Sequence, residues 1–411
     1  MRTNETDGSP QTLAVGMHGA PPCLPTAGPG ALPSITAPAN SIRTLRHGVD
    51  SLYLSFRGTI DPRLAVALQE GKVLAQSNKD ELVALAGIEV GGHYFTVMPR
   101  GRGRFAFVLD DNWFSIQLSN ATASSLPLAL VQVRSEYLTA VGPEEAIRTA
   151  TDLVGCMGVL AGSASISRID LFADFTATVD LTTLPGAHWV KRSKKRTIHE
   201  ECDQVTGISF GSGNEVSARL YDKSRELLKS GKFYLEPLWA SQGWAEGETV
   251  WRMEFQVRRE GLPVSMLEDA GDALTYAPAL WQYLAGEWLR LALPSSTDDT
   301  RTRWPTHPLW EQLVQAWAVP PDLPPLTRVP QVRAPSDQYL FKGGIAGLTS
   351  FMAREGITDY GHGLGEFLHA LEAYYADPLR HSLESLEGYV GRKARLKARR
   401  YNVKVSRHDK D

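Results

Sequence analysis

The stretch SRIDLFADF (Ser167–Phe175) alternates without a break: Ile169, Leu171, Ala173 and Phe175 fall on one side of an extended chain, and Arg168, Asp170, Phe172 and Asp174 on the other. Side chains of a strand point to opposite faces in turn, so the stretch predicts a strand with an apolar back and a polar front. Two later stretches repeat the pattern. In VSARLYDK (Val216–Lys223), Val216, Ala218 and Leu220 oppose Ser217, Arg219, Tyr221 and Lys223. In VWRMEFQVR (Val250–Arg258), Trp251, Met253, Phe255 and Val257 oppose Arg252, Glu254, Gln256 and Arg258. Any antiparallel sheet with one wet face alternates in this way. The residue choice is less ordinary: aspartate, a poor strand former, occurs twice in the first stretch, and arginine recurs in all three.

Strand-like runs also occur upstream, at Ser51–Arg57, His93–Pro99, Arg104–Leu109, Trp113–Leu118 and Leu128–Glu136, with Asp110, Asp111 and Asn112 supplying a hairpin turn. A helix is expected from Pro143: proline suits the first turn, Glu144 and Glu145 favour its positive end, and Ile147, Ala150, Leu153, Val154 and Met157 form one stripe. Arg63–Ala86 carries helical spacing with an interruption near Gly71. Beyond Gly261 the pattern is helical, at Ser265–Leu293, His307–Ala318, Gly344–Glu355 and Gly363–Tyr375. The fold class expected is α+β, a mostly antiparallel sheet with helices packed on one face, followed by a mainly helical C-terminal region.

Residues 1–44 read as a disordered arm, since the first forty hold seven prolines and five glycines without periodicity. Residues 45–262 form the α+β domain and 263–390 the helical region, with a proline-rich linker near 319–336. Residues 391–411 form a basic tail. No apolar run suits a signal peptide or a membrane span, and the three cysteines match no zinc spacing. A cytoplasmic protein is expected.

The 411 residues carry a net charge of −3, but the cations are clustered. Lys191, Arg192, Lys194, Lys195 and Arg196 make one group, Arg102 and Arg104 lie among glycines in a second, and Arg392 onward makes a third. Local clusters suffice for phosphate contact, because the affinity comes from the groups that touch the backbone. Carboxylates on the polar front suit Mg²⁺ or Mn²⁺, arginines grip phosphate, and Arg219 and Lys223 beside Tyr221 would favour its phenolate. The tryptophans read as packing residues before they read as base-stacking platforms.

The blocks RIDLFADF (Arg168–Phe175), RLYDKSRE (Arg219–Glu226) and WRMEFQVR (Trp251–Arg258) resemble those of the replication initiation factor family, which includes rolling-circle initiators of plasmids and filamentous phages and relaxases of some conjugative elements. VDSLYLSF (Val49–Phe56) resembles its opening strand, and RWPTHPLW (Arg303–Trp310) a segment after the catalytic part. The resemblance spans roughly Gly48 to Trp310. It implies origin-specific DNA binding, with metal-dependent nicking and joining of one strand through a phosphotyrosyl intermediate. Asp170, Asp174 and Glu254 fall on its acidic, metal-binding positions. Tyr221 falls on its tyrosine, with Arg219 and Lys223 as catalytic neighbours. Arg168, Arg252 and Arg258 join the clustered cations as DNA-binding candidates. DNA, double- and single-stranded, is the expected partner, with host helicase and polymerase and a second copy of the chain as further ones and no membrane; a bacterial cytoplasm is implied. Many relatives carry a tyrosine upstream where this chain reads Ile208-Ser209-Phe210-Gly211. Tyr221 is then the nucleophile, or the protein binds without cutting. No His-apolar-His motif occurs among the ten histidines, which disfavours the histidine-metal class of nicking enzymes.

Overall fold

The computed structural model describes residues 41–120, 126–213, 215–323, 326, 337–377 and 385–401. The arm up to residue 40, most of the proline-rich linker and the last ten residues of the basic tail lie outside the described residues.

The chain enters on β1 (Ile42–Phe56) and the short β2 (Gly58–Ile60), followed by α1 (Pro62–Ala75) and α2 (Asp80–Val83). A meander follows, made of β3 (Gly87–Val90), β4 (His93–Val97), β5 (Phe107–Asp110), β6 (Phe114–Leu118) and β7 (Ala129–Val133). Helices α3 (Ser135–Val141) and α4 (Pro143–Gly155) lead through β8 (Gly158–Leu160) to β9 (Ser165–Ala177). After β10 (Trp189–Lys191) come β11 (Arg196–Glu201), β12 (Gln204–Phe210) and β13 (Val216–Asp222), then α5 (Lys223–Ser230), α6 (Leu235–Ala240) and β14 (Trp251–Arg258). Helices α7 (Ala270–Thr275) and α8 (Ala277–Tyr283), a π-helical turn, β15 (Leu289–Leu291) and α9 (Pro308–Val314) complete a first unit that ends at Thr327.

Eleven of these strands form one antiparallel sheet in the order β11-β12-β13-β14-β9-β1-β7-β6-β5-β4-β3. Its apolar face carries Leu171, Ala173, Phe175, Leu220, Met253, Phe255 and Val257, all inside one core with Ala150, Leu153 and Val154 of α4 and Leu280 and Trp281 of α8. The helices expected beyond Gly261 therefore share the core of the sheet domain, with Trp281, Trp310 and Trp317 as large members, and no break falls at residue 262. The tryptophan-rich run from 265 to 293 is several short elements, ending in a strand that pairs with β10.

Local chemistry accounts for the elements. Asp61 caps α1 and Pro62 opens it; α1 continues through Gly71, which lies against Val97, where a Cβ would meet that side chain at 3.1 Å. Pro143 starts α4, and its carboxylates follow in the first turn. In the β5–β6 turn, the Asp111 carboxylate accepts the backbone N–H of Trp113 at 2.7 Å and of Phe114. The second unit holds α10 (Asp337–Glu355), α11 (Tyr360–Ala376) and α12 (Leu386–Tyr401). In it Phe351 meets Phe367 edge-on, and Gly363 leaves room for Met352. The described part of the basic tail is helix α12.

Phe255 is fully buried on β14, with Trp281 and Trp288 edge-on to its ring at 5.3 and 6.3 Å. Phe255→Ala should cost about 3–5 kcal/mol, read as a lower midpoint in urea denaturation.

Candidate functional site

Strands β13, β14, β9 and β1 lie side by side, and their register sets the polar face. Arg252 faces Tyr221 on one side and Asp174 on the other; Glu254 faces Arg219 and Phe172; Gln256 faces Ser217 and Asp170; Arg258 faces Arg168. On the next strand, Arg46 faces Asp174, Gly48 faces Phe172, Ser51 faces Asp170 and Tyr53 faces Arg168. The three stretches with alternating charge are thus neighbours, and Arg168, Asp170, Asp174, Arg219, Tyr221, Arg252 and Glu254 share one face. Lys223 opens α5 instead of closing β13, because Asp222 turns the chain by capping that helix at the Arg225 N–H.

The charges on this face are used on each other. Arg252, 1% exposed, donates from Nε and Nη2 to the two oxygens of Asp174, 0% exposed, at 2.5 and 2.8 Å, and from Nη1 to Asp50 at 2.5 Å. Trp239 of α6 donates its Nε1 hydrogen to the same Asp174 at 3.0 Å. The Phe172 ring lies under the Arg252 guanidinium at 4.0 Å, with Arg46 at 4.9 Å. Arg168 grips both oxygens of Asp170 and lies over the Tyr53 ring at 4.8 Å. Arg219 binds one oxygen of Glu254, and the Tyr221 hydroxyl donates to the other at 3.1 Å.

Several expectations change as a result. Asp174 is a buried counter-ion of Arg252, with both oxygens occupied. Every oxygen of Asp170, Asp174 and Glu254 already accepts from a protein donor, and among the described residues no three His, Cys, Asp or Glu side chains are placed to hold a metal. The residues as placed do not fit Mg²⁺ or Mn²⁺ at that triad. Arg252 is buried and cannot reach DNA. Lys223 is also buried, and its ammonium pairs with Glu226 while lying 5.8 Å from the Tyr221 ring. Phe172 is buried between arginines and offers no surface for a base.

The electrostatics of Tyr221 run opposite to the expected activation. Burial raises its pKa well above the ordinary phenol value and the Glu254 charge adds to the rise, outweighing Arg252 and Arg219. Burial lowers the Lys223 pKa, and the Arg252 charge lowers it further. Asp170 is pushed up to about 6 by burial, against its Arg168 hydrogen bond, with the Glu254 charge adding to the rise. Burial alone would raise Asp50, but the charges of Arg252, Lys223 and Lys232 hold it below the usual carboxylate range.

Asp50 and Arg46, which the sequence did not single out, belong to this face, and Tyr53 and Trp239 also reach it. Register shifts in β1 fall between Thr44 and Arg46 and between Val49 and Ser51, so Leu45 and Asp50 sit in bulges. A bulge re-aims a side chain, and here it brings Asp50 to Arg252. The alternation of Ser51, Tyr53 and Ser55 against Leu52 and Leu54 was a readable signal for Tyr53. Beside β1 lies a polar cleft of ≈580 Å³, lined among others by Asp50, Ser51, Gln132, Arg134 and Lys232.

The other DNA-binding candidates scatter. Arg258 is exposed at the end of β14. Arg102 and Arg104 are exposed on a tight tip before β5, where a Cβ at Gly101 would sit 2.3 Å from the Phe105 carbonyl oxygen. Lys194 and Lys195 are exposed, Arg192 pairs with Glu287, and Lys191 and Arg196 are half-buried.

No family model matches the chain, and no curated protein matches it. Among solved structures, the rolling circle replication initiator protein from Geobacillus stearothermophilus is similar over 67% of this chain and 96% of that one, with 14% identity and a TM-score of 0.40. A likeness that distant does not assign a function. Among the described residues no helix is long and apolar enough to cross a membrane.

Two predictions come from these charges. Asp174→Asn leaves Arg252 buried without its main counter-ion and should cost about 3–5 kcal/mol in chemical denaturation, with Asp50 a partial substitute. For Asp170, the folded pKa of about 6 lies above the ordinary 3.8, so the folded state holds the proton more tightly. The associated stability is complete below about pH 3.8 and is lost as pH rises through about 6. Asp170→Asn should flatten the melting temperature against pH across that window; an unchanged profile would remove Asp170 as its source.

Proposed function

We propose that this protein binds DNA and cuts and rejoins one strand through Tyr221, in the manner of a rolling-circle replication initiator. The observation that carries the reading is the chain of contacts from the Tyr221 hydroxyl to Glu254 and from Glu254 to Arg219. A nucleophile bonded to a base, with the base oriented by a third group, is the arrangement that activates hydroxyls for attack. Further support is that the three family-like blocks supply β9, β13 and β14, side by side at this point.

In this mechanism Glu254 is the general base. As the Tyr221 oxygen attacks the phosphorus of a DNA phosphodiester, its proton passes to Glu254 Oε2. The bond from phosphorus to the 3′-oxygen breaks, and that oxygen leaves as a hydroxyl by taking a proton from water. The strand's 5′-phosphate stays on Tyr221 as an ester, which keeps the energy for rejoining. Arg219, half-exposed at the mouth of the pair, holds Glu254 and is placed to meet the phosphate. The raised Tyr221 pKa keeps the residue a neutral phenol at rest, so its proton has to pass to Glu254 in the step itself.

A second reading, a DNA-binding protein that does not cleave, is favoured by that same raised pKa. The test separates the two. Supercoiled plasmid bearing the origin is incubated with the protein and Mg²⁺ or Mn²⁺. Nicked DNA with protein covalently attached is expected. Tyr221→Phe should abolish the adduct and keep DNA affinity, and Glu254→Gln should slow adduct formation by about 10²–10⁴-fold. An adduct that survives in Tyr221→Phe and vanishes in Tyr53→Phe would transfer the role to Tyr53. Binding without any adduct in the unaltered protein would leave the non-cleaving reading.

A further inference from the structure

On the polar face Arg168, Arg219 and Arg252 each have a carboxylate. At one end of the sheet, on the opposite face, three cations have none among the described residues. Arg196 faces Phe210 across β11 and β12, so it lies on the side of Phe210, Ala218 and Phe255, away from Tyr221. Its guanidinium reaches Gly186, where a Cβ would stand 2.7 Å from Nη1. Its Nε is buried and finds no hydrogen-bond partner among the described residues.

Gly186 belongs to the wall of a cavity of ≈340 Å³, whose other lining residues are Trp189, Val190, Lys191, Arg301 and Thr302, so Arg196 stands behind the wall at Gly186 and adds its charge from there. The Trp189 Nε1 hydrogen is likewise buried without a partner. Arg301 spends Nη2 on the carbonyls of Gly186, Ala187 and Trp189 and makes no ion pair among the described residues. Lys191 reaches only the carbonyls of Ser193 and Lys194. Of the neighbouring cations, Arg192 has Glu287 and Arg303 has Asp298, while Arg290 is bonded to the carbonyls of Thr302 and Trp304. Partial burial lowers the Lys191 pKa, and the charges of Arg301 and Arg196 lower it further, so the three cations repel one another across a small space.

Like charges held together with unpartnered donors are costly in an empty protein. An oxyanion repays that cost: it accepts from several donors at once, and arginine binds phosphate in a fixed fork. The cavity is at the small end of ligand clefts, about 300–1,000 Å³. Trp189 is packed against Phe210 and Trp310, which holds its ring in the wall and leaves no ring face for stacking. We infer that this cavity is a phosphate-binding site, taking the phosphate group of a nucleotide or of a nucleic-acid strand. The inference does not rest on Tyr221 chemistry, since the cavity is on the other face of the sheet.

The test follows the melting temperature of the full chain during titration with inorganic phosphate, a deoxynucleoside monophosphate and a short single-stranded oligonucleotide, each against sodium chloride at equal ionic strength. Phosphate should raise the melting temperature beyond the chloride control. Lys191→Gln, which removes a lining ammonium and keeps the Arg301 contacts, should weaken phosphate binding about tenfold or more. Without phosphate the same variant should melt at or above the temperature of the unaltered protein, because a repulsion is relieved. Arg196→Gln, which removes the charge behind the Gly186 wall, should weaken binding in the same sense and serves if Lys191→Gln fails to fold. Tighter binding of the monophosphate assigns a nucleotide as the source; tighter binding of the oligonucleotide assigns a strand. An equal phosphate response in all three proteins, or one matched by chloride, overturns the site.

Discussion

The Arg252 guanidinium sits on the fourth strand of an eleven-stranded sheet with 1% of its surface exposed, and the positions of its neighbours follow from that charge. A buried cation is tolerable only if its donors are met, and Asp174, Asp50 and the Phe172 ring meet them. Asp174 in turn needs a further donor, which fixes Trp239 and with it α6. Trp239 anchors a second small core with Leu45, Leu227, Leu235 and Val250, roofing one end of the polar face. The other end stays open at Arg219, Tyr221 and Arg258, so one ion pair divides the face into a closed structural part and an open part fit for chemistry.

That division explains what the sequence could and could not disclose. The two-residue alternation in β9, β13 and β14 reports which face a residue takes, and all three strands follow it. It carries no information on pairing across strands, so Asp170, Asp174 and Glu254 looked equivalent although one is a buried counter-ion and another bonds the tyrosine. Partner identity depends on register, and register in β1 depends on bulges at Leu45 and Asp50 that leave no mark in composition. Asp50 was invisible for that reason. Arg196 looked like one more member of a basic run, yet one residue of register places it on the back of the sheet.

The helical half was legible in kind but not in extent. Pro143 and its two glutamates place the start of α4 correctly, and the apolar stripe through Val154 places its buried side. The stretch after Gly261 carries so many large apolar residues that helical spacing is satisfied almost anywhere. The core requires short pieces there, because Trp281, Trp310 and Trp317 must all reach the same sheet.

The strand order also bears on how the chain folds. β9 lies between β1 and β14, and its partners are more than a hundred residues earlier and some eighty later, as the pairs Ser51–Asp170 and Arg252–Asp174 show. Closing such long loops precedes the contacts that reward it, which makes assembly of the sheet centre slow. During synthesis β1, the meander and β9 emerge well before β14, leaving the β9 edge and the uncompensated Asp174 open until Arg258 has been made. The interval exposes an unpaired strand edge to other chains, so yield of folded protein should depend on translation speed and on chaperones more than on the stability of the finished fold.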